Sequence, residues 1–291
     1  MDNAEYDSYY KNAEVKLYKT DDASIAVRVY GAGPALVLVH GFPVHGYTWR
    51  KVLPTLAEKF TCFVVDLPGL GDSVWTSNTD FTFTAQARRL AKLLGILSIN
   101  ECAILAQDTG ATVSRLVAAS EPAKIKKLVI MNTEMPYHRP PWIPLFRVLA
   151  KLPGSNTMYR LIFSSPIVRT SMGLKGFYSS ASLLHDPNSL NPYVKPLVGS
   201  AKKMAGALGC LKGIEWNVVD DLVSTHKRIK ADTLIIWGED DKIFPVEIAK
   251  KMSEQFNANS KFLKISKTSL MPHEENPEKV LEYVIPFLLN S

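Results

Sequence analysis

Continuous apolar runs alternate with segments of helical period along most of the chain. Two short alternating segments, Ala13–Thr20 and Ser24–Tyr30, precede the β-rich run Ala35–His40. Alternation is typical of a strand with one exposed face, whereas a continuous apolar run is typical of a strand buried on both faces. The pattern therefore predicts an antiparallel lead-in to a buried parallel strand.

Further apolar runs with strand character follow at intervals. They are Phe60–Asp66, Cys102–Gln107, Lys127–Asn132, Leu234–Trp237 and Lys261–Ile265. Segments of helical period separate most of these runs, and Glu278–Leu289 carries apolar residues at helical spacing. Strands that alternate with helices favour an α/β fold with a mostly parallel, doubly wound sheet.

The pattern changes between Met135 and about Lys230, where Pro, Ser and aromatic residues accumulate. Short helical stretches remain at Ile143–Lys151, Tyr193–Leu208 and Trp216–Lys227. We interpret this region as a helical lid inserted over the sheet. The predicted organisation is a core over residues 1–134, a lid over 135–230 and the remainder of the core over 231–291, with no repeats and no second domain.

Composition and charge narrow the classes of partner. The chain has 291 residues, 46% of them hydrophobic, enough to bury one large core. Its net charge of +6 comes from 34 basic and 28 acidic residues spread along the chain, without the dense basic block of a nucleic-acid surface. We therefore expect a small-molecule substrate and no nucleic acid, with the oligomeric state open.

The cysteines and the apolar segments suggest neither a metal nor a membrane. Cys62, Cys102 and Cys210 lie far apart, which argues against a disulfide framework or a metal cluster. No apolar stretch approaches the roughly 18 residues that cross a bilayer. We expect a cytoplasmic protein that needs no cofactor and no metal.

The segment Ile104–Thr112 places the polar residue Asp108 between small neighbours, after a predicted strand and before a helix. This is the nucleophile-elbow pattern, in which a tight turn presents a reactive side chain above the sheet. The positive end of the following helix favours a carboxylate there. Asp108 is therefore the candidate nucleophile, and the alternative is that it only caps the helix.

Two further motifs follow predicted strands. His40-Gly41-Phe42-Pro43 would bring a backbone N–H of Phe42 to meet that of Thr109, forming an oxyanion hole. The loop Trp237–Pro245 is acidic and follows a buried strand, so that one of its carboxylates can orient a histidine. We predict that Asp241 is the acid that orients the histidine, with Asp240 as the alternative.

These three motifs, in this order, together with the segment Asp66–Ser73, resemble the α/β-hydrolase superfamily over nearly the whole chain. An aspartate at the elbow resembles the haloalkane dehalogenase and epoxide hydrolase branch. That resemblance implies an alkyl ester on Asp108, hydrolysed by water that a histidine activates. It makes a serine-type esterase less favoured.

The resemblance favours epoxides over haloalkanes. His-Gly-Phe-Pro resembles epoxide hydrolases, and one of four lid tyrosines can supply the phenol that protonates an opening epoxide; they are Tyr137, Tyr159, Tyr178 and Tyr193. Dehalogenases usually carry halide donors where Thr109 and Phe42 stand. Fluoroacetate dehalogenases share the motif but carry arginines at the positions of Thr109 and Thr112, so a small anionic acid is disfavoured.

The histidine of the resembled triad is displaced in this chain. Its expected position, seven residues before Pro277, is occupied by Leu270. His273 lies about one helical turn further on. A rearranged loop would give a triad of Asp108, His273 and Asp241, with Glu134 as an alternative acid.

The sequence thus predicts an enzyme, a hydrolase that acts on a small or medium apolar electrophile through an ester on Asp108. Residues predicted to line its substrate pocket are His40, Gln107, Glu134, Trp142 and Tyr178. Two alternatives stay open. The first is a non-catalytic small-molecule binder, which would follow if no histidine replaces the one missing at Leu270. The second, ranked below it, is a hydrolase of esters or lactones.

Overall fold

A nine-stranded sheet forms the centre of the protein. The computed structural model describes residues 1–140, 142–166, 178–179, 190–256 and 259–290. The strands are β1 (Lys16–Lys19), β2 (Ala23–Tyr30), β3 (Ala35–Val39), β4 (Thr61–Asp66), β5 (Val74–Trp75), β6 (Cys102–Gln107), β7 (Ile125–Met131), β8 (Asp232–Gly238) and β9 (Ser260–Ile265). The apolar runs of the sequence supply the buried strands of this sheet.

The strand order is β1-β2-β4-β3-β6-β7-β8-β9, with β5 paired to β2 off this path. β1 and β2 pair antiparallel, and every neighbouring pair from β4 to β9 is parallel. The predicted antiparallel lead-in and doubly wound α/β sheet are therefore confirmed. Because parallel strands end at the same edge, the residues after β3, β6, β7 and β8 come together, as is usual for ligand sites in such sheets.

Helices occupy most of the remaining described chain. In the core they are α1 (Asn3–Lys11), α2 (Leu53–Ala57), α3 (Phe83–Ile96), α4 (Thr109–Ser120), α11 (Val246–Ser253), α12 (Pro272–Glu275) and α13 (Pro277–Leu289), with a 3-10 helix, η1, at Gly46–Trp49. Between β7 and β8 lie α5 (Trp142–Leu149), α6 (Ser155–Ser164), α7 (Asn191–Gly199), α8 (Ala201–Lys212), α9 (Trp216–Asp220) and α10 (Leu222–Arg228). Within the predicted lid, residues 167–177 and 180–189 lie outside the described residues.

Local signals explain where the helices differ from the sequence prediction. The predicted stretch Tyr193–Leu208 is two helices, because Ser200 is extended and its side chain accepts a hydrogen bond from the Lys203 N–H to cap the second. Helix α1 was not predicted, although Asp2 and Glu5 form a capping box at its start. None of the described helices has both the length and the apolar character that a membrane span requires.

Candidate active site

Asp108 stands at the turn between β6 and α4 in a backbone conformation that side chains rarely adopt. Its φ is 50° and its ψ is −133°, and such strain costs on the order of 1–3 kcal/mol. The Asp108 N–H donates to the carbonyl oxygens of Met131 and Asn132 at 3.1 and 3.0 Å, which fixes the turn against the end of β7. The strand, turn and helix place Asp108 at the carboxyl edge of the sheet.

Two glycines allow this turn to pack against the loop after β3. A Cβ on Gly41 would lie 2.4 Å from the Asp108 Cβ and 2.5 Å from its Oδ2. A Cβ on Gly110 would lie 2.1 Å from the His40 carbonyl oxygen. Both positions therefore require glycine, and the close approach brings the Phe42 N–H to the Asp108 carboxylate.

Both amides of the predicted oxyanion hole reach Asp108. The Phe42 N–H donates to Asp108 Oδ2 at 2.6 Å, and the Thr109 N–H also hydrogen-bonds the carboxylate. Burial raises the pKa of Asp108 well above its usual value, and the charges of Glu134 and Asp241 add to this effect. The two amides oppose the rise without cancelling it.

Asp241 is the buried acid of the loop after β8. Its Oδ1 accepts the N–H groups of Ile243 and Phe244 at 2.7 and 3.0 Å, and its Oδ2 accepts the side-chain amide of Asn132 at 2.7 Å. Burial raises the pKa of Asp241 to about 6, although these donors lower it. Asp240, the alternative acid, is exposed and accepts a hydrogen bond from the Ser179 hydroxyl instead.

Glu134 lies on the other side of Asp108, after β7. Its Oε2 accepts the hydroxyls of Thr112 and Thr133 at 2.6 and 3.1 Å. The Thr133 hydroxyl also lies 2.8 Å from the Asp108 carbonyl oxygen. The fully buried Arg115 donates to both threonines and to the Glu134 carbonyl oxygen, and these hydrogen bonds fix the positions of the three residues.

The predicted triad of Asp108, His273 and Asp241 is not formed. His273 is fully buried, with its ring 4.5 Å from that of Trp49 and its Nε2 2.7 Å from the Thr48 hydroxyl. Its Nδ1 has no hydrogen-bond partner, so neither nitrogen contacts a site carboxylate. Because His273 lies in the first turn of α12, which packs on η1, its ring turns into the core. Burial lowers its pKa to about 4.

Leu270 lies next to the site instead. The Gln107 side-chain amide donates to the Leu270 carbonyl oxygen at 3.1 Å, which holds this loop beside the residue that precedes Asp108. The Leu270 residue is 2% exposed. Leu270 thus occupies the position that the sequence register assigns to the histidine, and its side chain cannot accept a proton. Gln107 Oε1 is buried without a hydrogen-bond partner.

Glu274 organises a second buried network. Arg50 lies 3.2 Å from its Oε1, Thr48 donates to it at 2.9 Å and Tyr178 at 3.3 Å, and the Tyr193 hydroxyl also donates to it. Burial opposes ionisation of Glu274, but the charges of Arg50 and His273 and the hydrogen bonds from Tyr193 and Arg50 together outweigh it, and the pKa falls to about 2. This carboxylate binds Tyr178 and Tyr193, two tyrosines of the predicted lid.

The remaining predicted pocket and lid residues have other surroundings. His40 is fully buried. Its Nε2 accepts a hydrogen bond from the Leu67 N–H and its Nδ1 donates to the Gly41 carbonyl oxygen, so that both ring nitrogens bind backbone groups. Trp142 is 66% exposed. The Tyr159 hydroxyl donates to the Phe146 carbonyl oxygen. Tyr137 is 76% exposed. With Tyr178 and Tyr193 bound to Glu274, none of the four tyrosines hydrogen-bonds to Asp108.

Asn132 and Arg115 are the supporting residues that the sequence reasoning missed. Asn132 holds Asp241 and also accepts the Gly238 N–H at 3.0 Å, joining the ends of β7 and β8. The sequence signal for Asn132 is an asparagine directly after a buried strand. Asparagine tolerates a positive φ, and the φ of Asn132 at this strand end is 31°. Among the described residues, no group of three or more His, Cys, Asp or Glu side chains is arranged to hold a metal.

Comparison with known proteins decides the family. A family model for the alpha/beta hydrolase fold matches residues 34–277, which include every site residue above. The chain belongs to this hydrolase family. It is 26% identical to the pimeloyl-acyl-carrier-protein methyl ester esterase of Aeromonas hydrophila, over 91% of this chain and 99% of the esterase. It is 21% identical to human epoxide hydrolase 4, over 88% of this chain and 72% of that protein.

Solved structures show the same fold. The haloalkane dehalogenase DbeA of Bradyrhizobium elkani superposes with a TM-score of 0.76 at 18% identity, covering 95% of this chain and 98% of the dehalogenase. An esterase and an epoxide hydrolase are therefore similar to this chain in sequence, and a haloalkane dehalogenase shares its fold.

Proposed function

We propose that this hydrolase captures a small apolar alkyl electrophile as a covalent ester on Asp108 and releases it slowly. The observation that carries the proposal is the combination of an aspartate at the strained turn, 2.6 Å from the Phe42 N–H, with a leucine at the histidine position. The first feature supports attack on carbon, and the second removes the usual base for hydrolysis.

In the capture step, the free carboxylate oxygen of Asp108 attacks a saturated carbon. A new C–O bond forms, the bond to the leaving group breaks, and the leaving group departs with the electron pair. The Asp108 Oδ2, held by Phe42, becomes the carbonyl oxygen of the ester. The two amides would then stabilise the oxyanion that forms when water attacks this carbonyl.

Release is slow because, among the residues that the structure describes, no group near the ester is placed to deprotonate water efficiently. His273 is held in the core by Trp49 and Thr48. The oxygens of Asp241 already accept three hydrogen bonds, and Glu134 Oε2 accepts two hydroxyls. A positioned general base contributes about 10²- to 10⁴-fold in rate, and this contribution is missing here.

The sequence favours epoxides over alkyl halides as substrates, whereas the contacts of the lid tyrosines favour alkyl halides over epoxides. An opening epoxide needs a proton on its oxygen, and none of the four tyrosines is directed at Asp108: three hydroxyls donate elsewhere and Tyr137 is 76% exposed. A halide leaves as a stable anion without protonation. We therefore place alkyl halides ahead of epoxides as substrates of the capture step.

Complete turnover through Asp241 is the second candidate function. Burial raises the pKa of Asp241 to about 6, near the value suited to a general base at neutral pH. This candidate predicts that halide or diol accumulates in excess over protein. Slow release predicts no more than about one equivalent of product within the lifetime of the ester.

Intact-protein mass spectrometry tests the proposal. Wild type and Asp108→Ala are incubated with n-hexyl bromide or styrene oxide, the reagent is removed, and the mass is followed with time. We expect one added hexyl group on wild type, lost only slowly, and none on Asp108→Ala. An unmodified wild type without released bromide would contradict capture, whereas sustained bromide release would support complete turnover.

The rate of capture is expected to rise with pH. Only the carboxylate form of Asp108 attacks carbon, and burial with two neighbouring carboxylates keeps its pKa high, so that below this pKa the rate increases about ten-fold for each pH unit. The measurement is the initial rate of hexyl addition across buffers from acid to alkaline pH. Since n-hexyl bromide does not ionise in this range, a flat profile would contradict the raised pKa.

Replacing Gly41 with alanine is expected to slow capture about 100-fold, because the new Cβ would fall 2.4 Å from the Asp108 Cβ and displace the carboxylate from its amides. The measurement is again the rate of hexyl addition, with circular dichroism to check folding. Gly95→Ala is the matched control, since a Cβ there would meet nothing within 4 Å. Equal capture rates in the two variants would show that Asp108 does not need this close approach.

A further inference from the structure

A cavity lies between α7 and the N-terminal helix α1, and Asp108 does not line it. It has a volume of about 510 Å³ and is bounded by α1, by the loops after β3 and β4, and by α7. Volumes of roughly 300–1,000 Å³ are typical of small-molecule sites. Asp108, Glu134 and Asp241 are not among its lining residues, so the chemistry proposed above does not explain it.

Aromatic side chains form one wall of this cavity. The Tyr193 ring lies 5.8 Å from that of Tyr47 and 5.4 Å from that of His45, both at steep angles. The Tyr193 hydroxyl is fixed by Glu274, and Tyr47 donates to Asp7. The wall is therefore held in place before any ligand arrives, and it presents ring faces and edges to an apolar body.

The acidic side chains at the cavity are already paired. Asp72 lies 2.7 Å from Arg28 and 3.6 Å from Lys203. Asp7 lies 3.6 Å from Arg50. Each of these carboxylates therefore has a basic partner, although Arg28 also lies 3.6 Å from Asp66 and Arg50 also pairs with Glu274.

Lys11 on α1 and Lys195 on α7 also line the cavity, from opposite elements. Neither ammonium has a hydrogen bond or an ion pair within the described part of the chain. The cavity thus combines an aromatic wall with an excess of positive charge, since its lining has four basic side chains (Lys11, Arg28, Lys195 and Lys203) against two acidic ones (Asp7 and Asp72). We propose that it binds a small organic anion, a carboxylate carried on an apolar ring, independently of Asp108.

Calorimetric titration tests this site with naphthoate as the anion, naphthamide as its neutral counterpart and inorganic phosphate as an anion without an apolar body. We expect naphthoate to bind more tightly than either. Each of Lys11→Gln and Lys195→Gln is expected to weaken naphthoate binding about three-fold, the effect of one exposed charge pair. The double variant is expected to weaken it about ten-fold.

Two control variants test whether naphthoate binds in this cavity and not elsewhere on the protein. Lys202→Gln removes the same charge from an exposed lysine that does not line the cavity, and it should leave binding unchanged. Asp108→Ala should also bind naphthoate as wild type does, which separates this site from the proposed capture. Equal binding of naphthoate and naphthamide, no effect of either cavity lysine, or loss of binding in Asp108→Ala would each overturn the proposal.

Discussion

Leu270→His is expected to speed release of the alkyl group from Asp108 by about a hundred-fold to ten-thousand-fold, turning slow release into repeated turnover. The Leu270 backbone is held beside Asp108 by Gln107, and this bond uses the carbonyl oxygen, so that it survives the change of side chain. An imidazole on this loop, which Gln107 holds beside the Asp108 turn, would supply the missing base. Bromide release under excess n-hexyl bromide measures the gain.

Leu270→Met is the matched control, since it keeps an apolar side chain of similar size. It should form the ester and release it as slowly as wild type. The double variant Asp108→Ala with Leu270→His should release no bromide above the background. If folded Leu270→His releases bromide no faster than wild type, the missing histidine is not what limits release.

Glu274→Ala is expected to lower the free energy of unfolding by about 3 kcal/mol, because it removes the buried partner of Arg50 and leaves only the partly exposed Asp7 at 3.6 Å. The Arg50 side chain is only 5% exposed, so water cannot replace the lost carboxylate. Tyr178 and Tyr193 lose their acceptor in the same step. Urea unfolding followed by circular dichroism measures the change.

Glu282→Ala provides the comparison for this loss. Glu282 pairs with Lys279, and both side chains are largely exposed, so its removal should not change stability measurably. If Glu274→Ala lowers the free energy of unfolding no more than Glu282→Ala does, the buried network makes no net contribution to stability. Arg50→Met combined with Glu274→Ala should recover part of the loss, because no buried charge then lacks its partner, and Asp7 is partly exposed to water.

The position of the candidate site was predictable from the sequence because local patterns determine it. A continuous apolar strand followed by Gln107-Asp108-Thr109-Gly110 requires a tight turn, and both neighbouring loops begin directly after buried strands. The parallel order of the sheet then brings Phe42, Asp108 and Asp241 to one edge. The α/β sheet itself followed from the alternation of apolar runs and helical segments.

The surroundings of His273 and Glu274 were not predictable in this way. They depend on Thr48 and Arg50, which are more than 200 positions away in the chain and contact them only in the folded protein. Sequence spacing placed His273 one turn from the expected register, but it contained no information on which way α12 faces. Tyr178 and Tyr193 were ambiguous for the same reason, since a tyrosine in a lid pattern can face either the substrate or a buried carboxylate.

Tandem mass spectrometry that locates the captured group tests covalent capture on Asp108 most directly. Trypsin releases the peptide Leu93–Arg115, which contains Asp108 together with Glu101 and the buried thiol Cys102, whose pKa burial raises to about 12. After treatment with n-hexyl bromide at alkaline pH, we expect the hexyl group on Asp108. A hexyl group on Cys102 or Glu101, with Asp108 unmodified, would contradict capture by the aspartate.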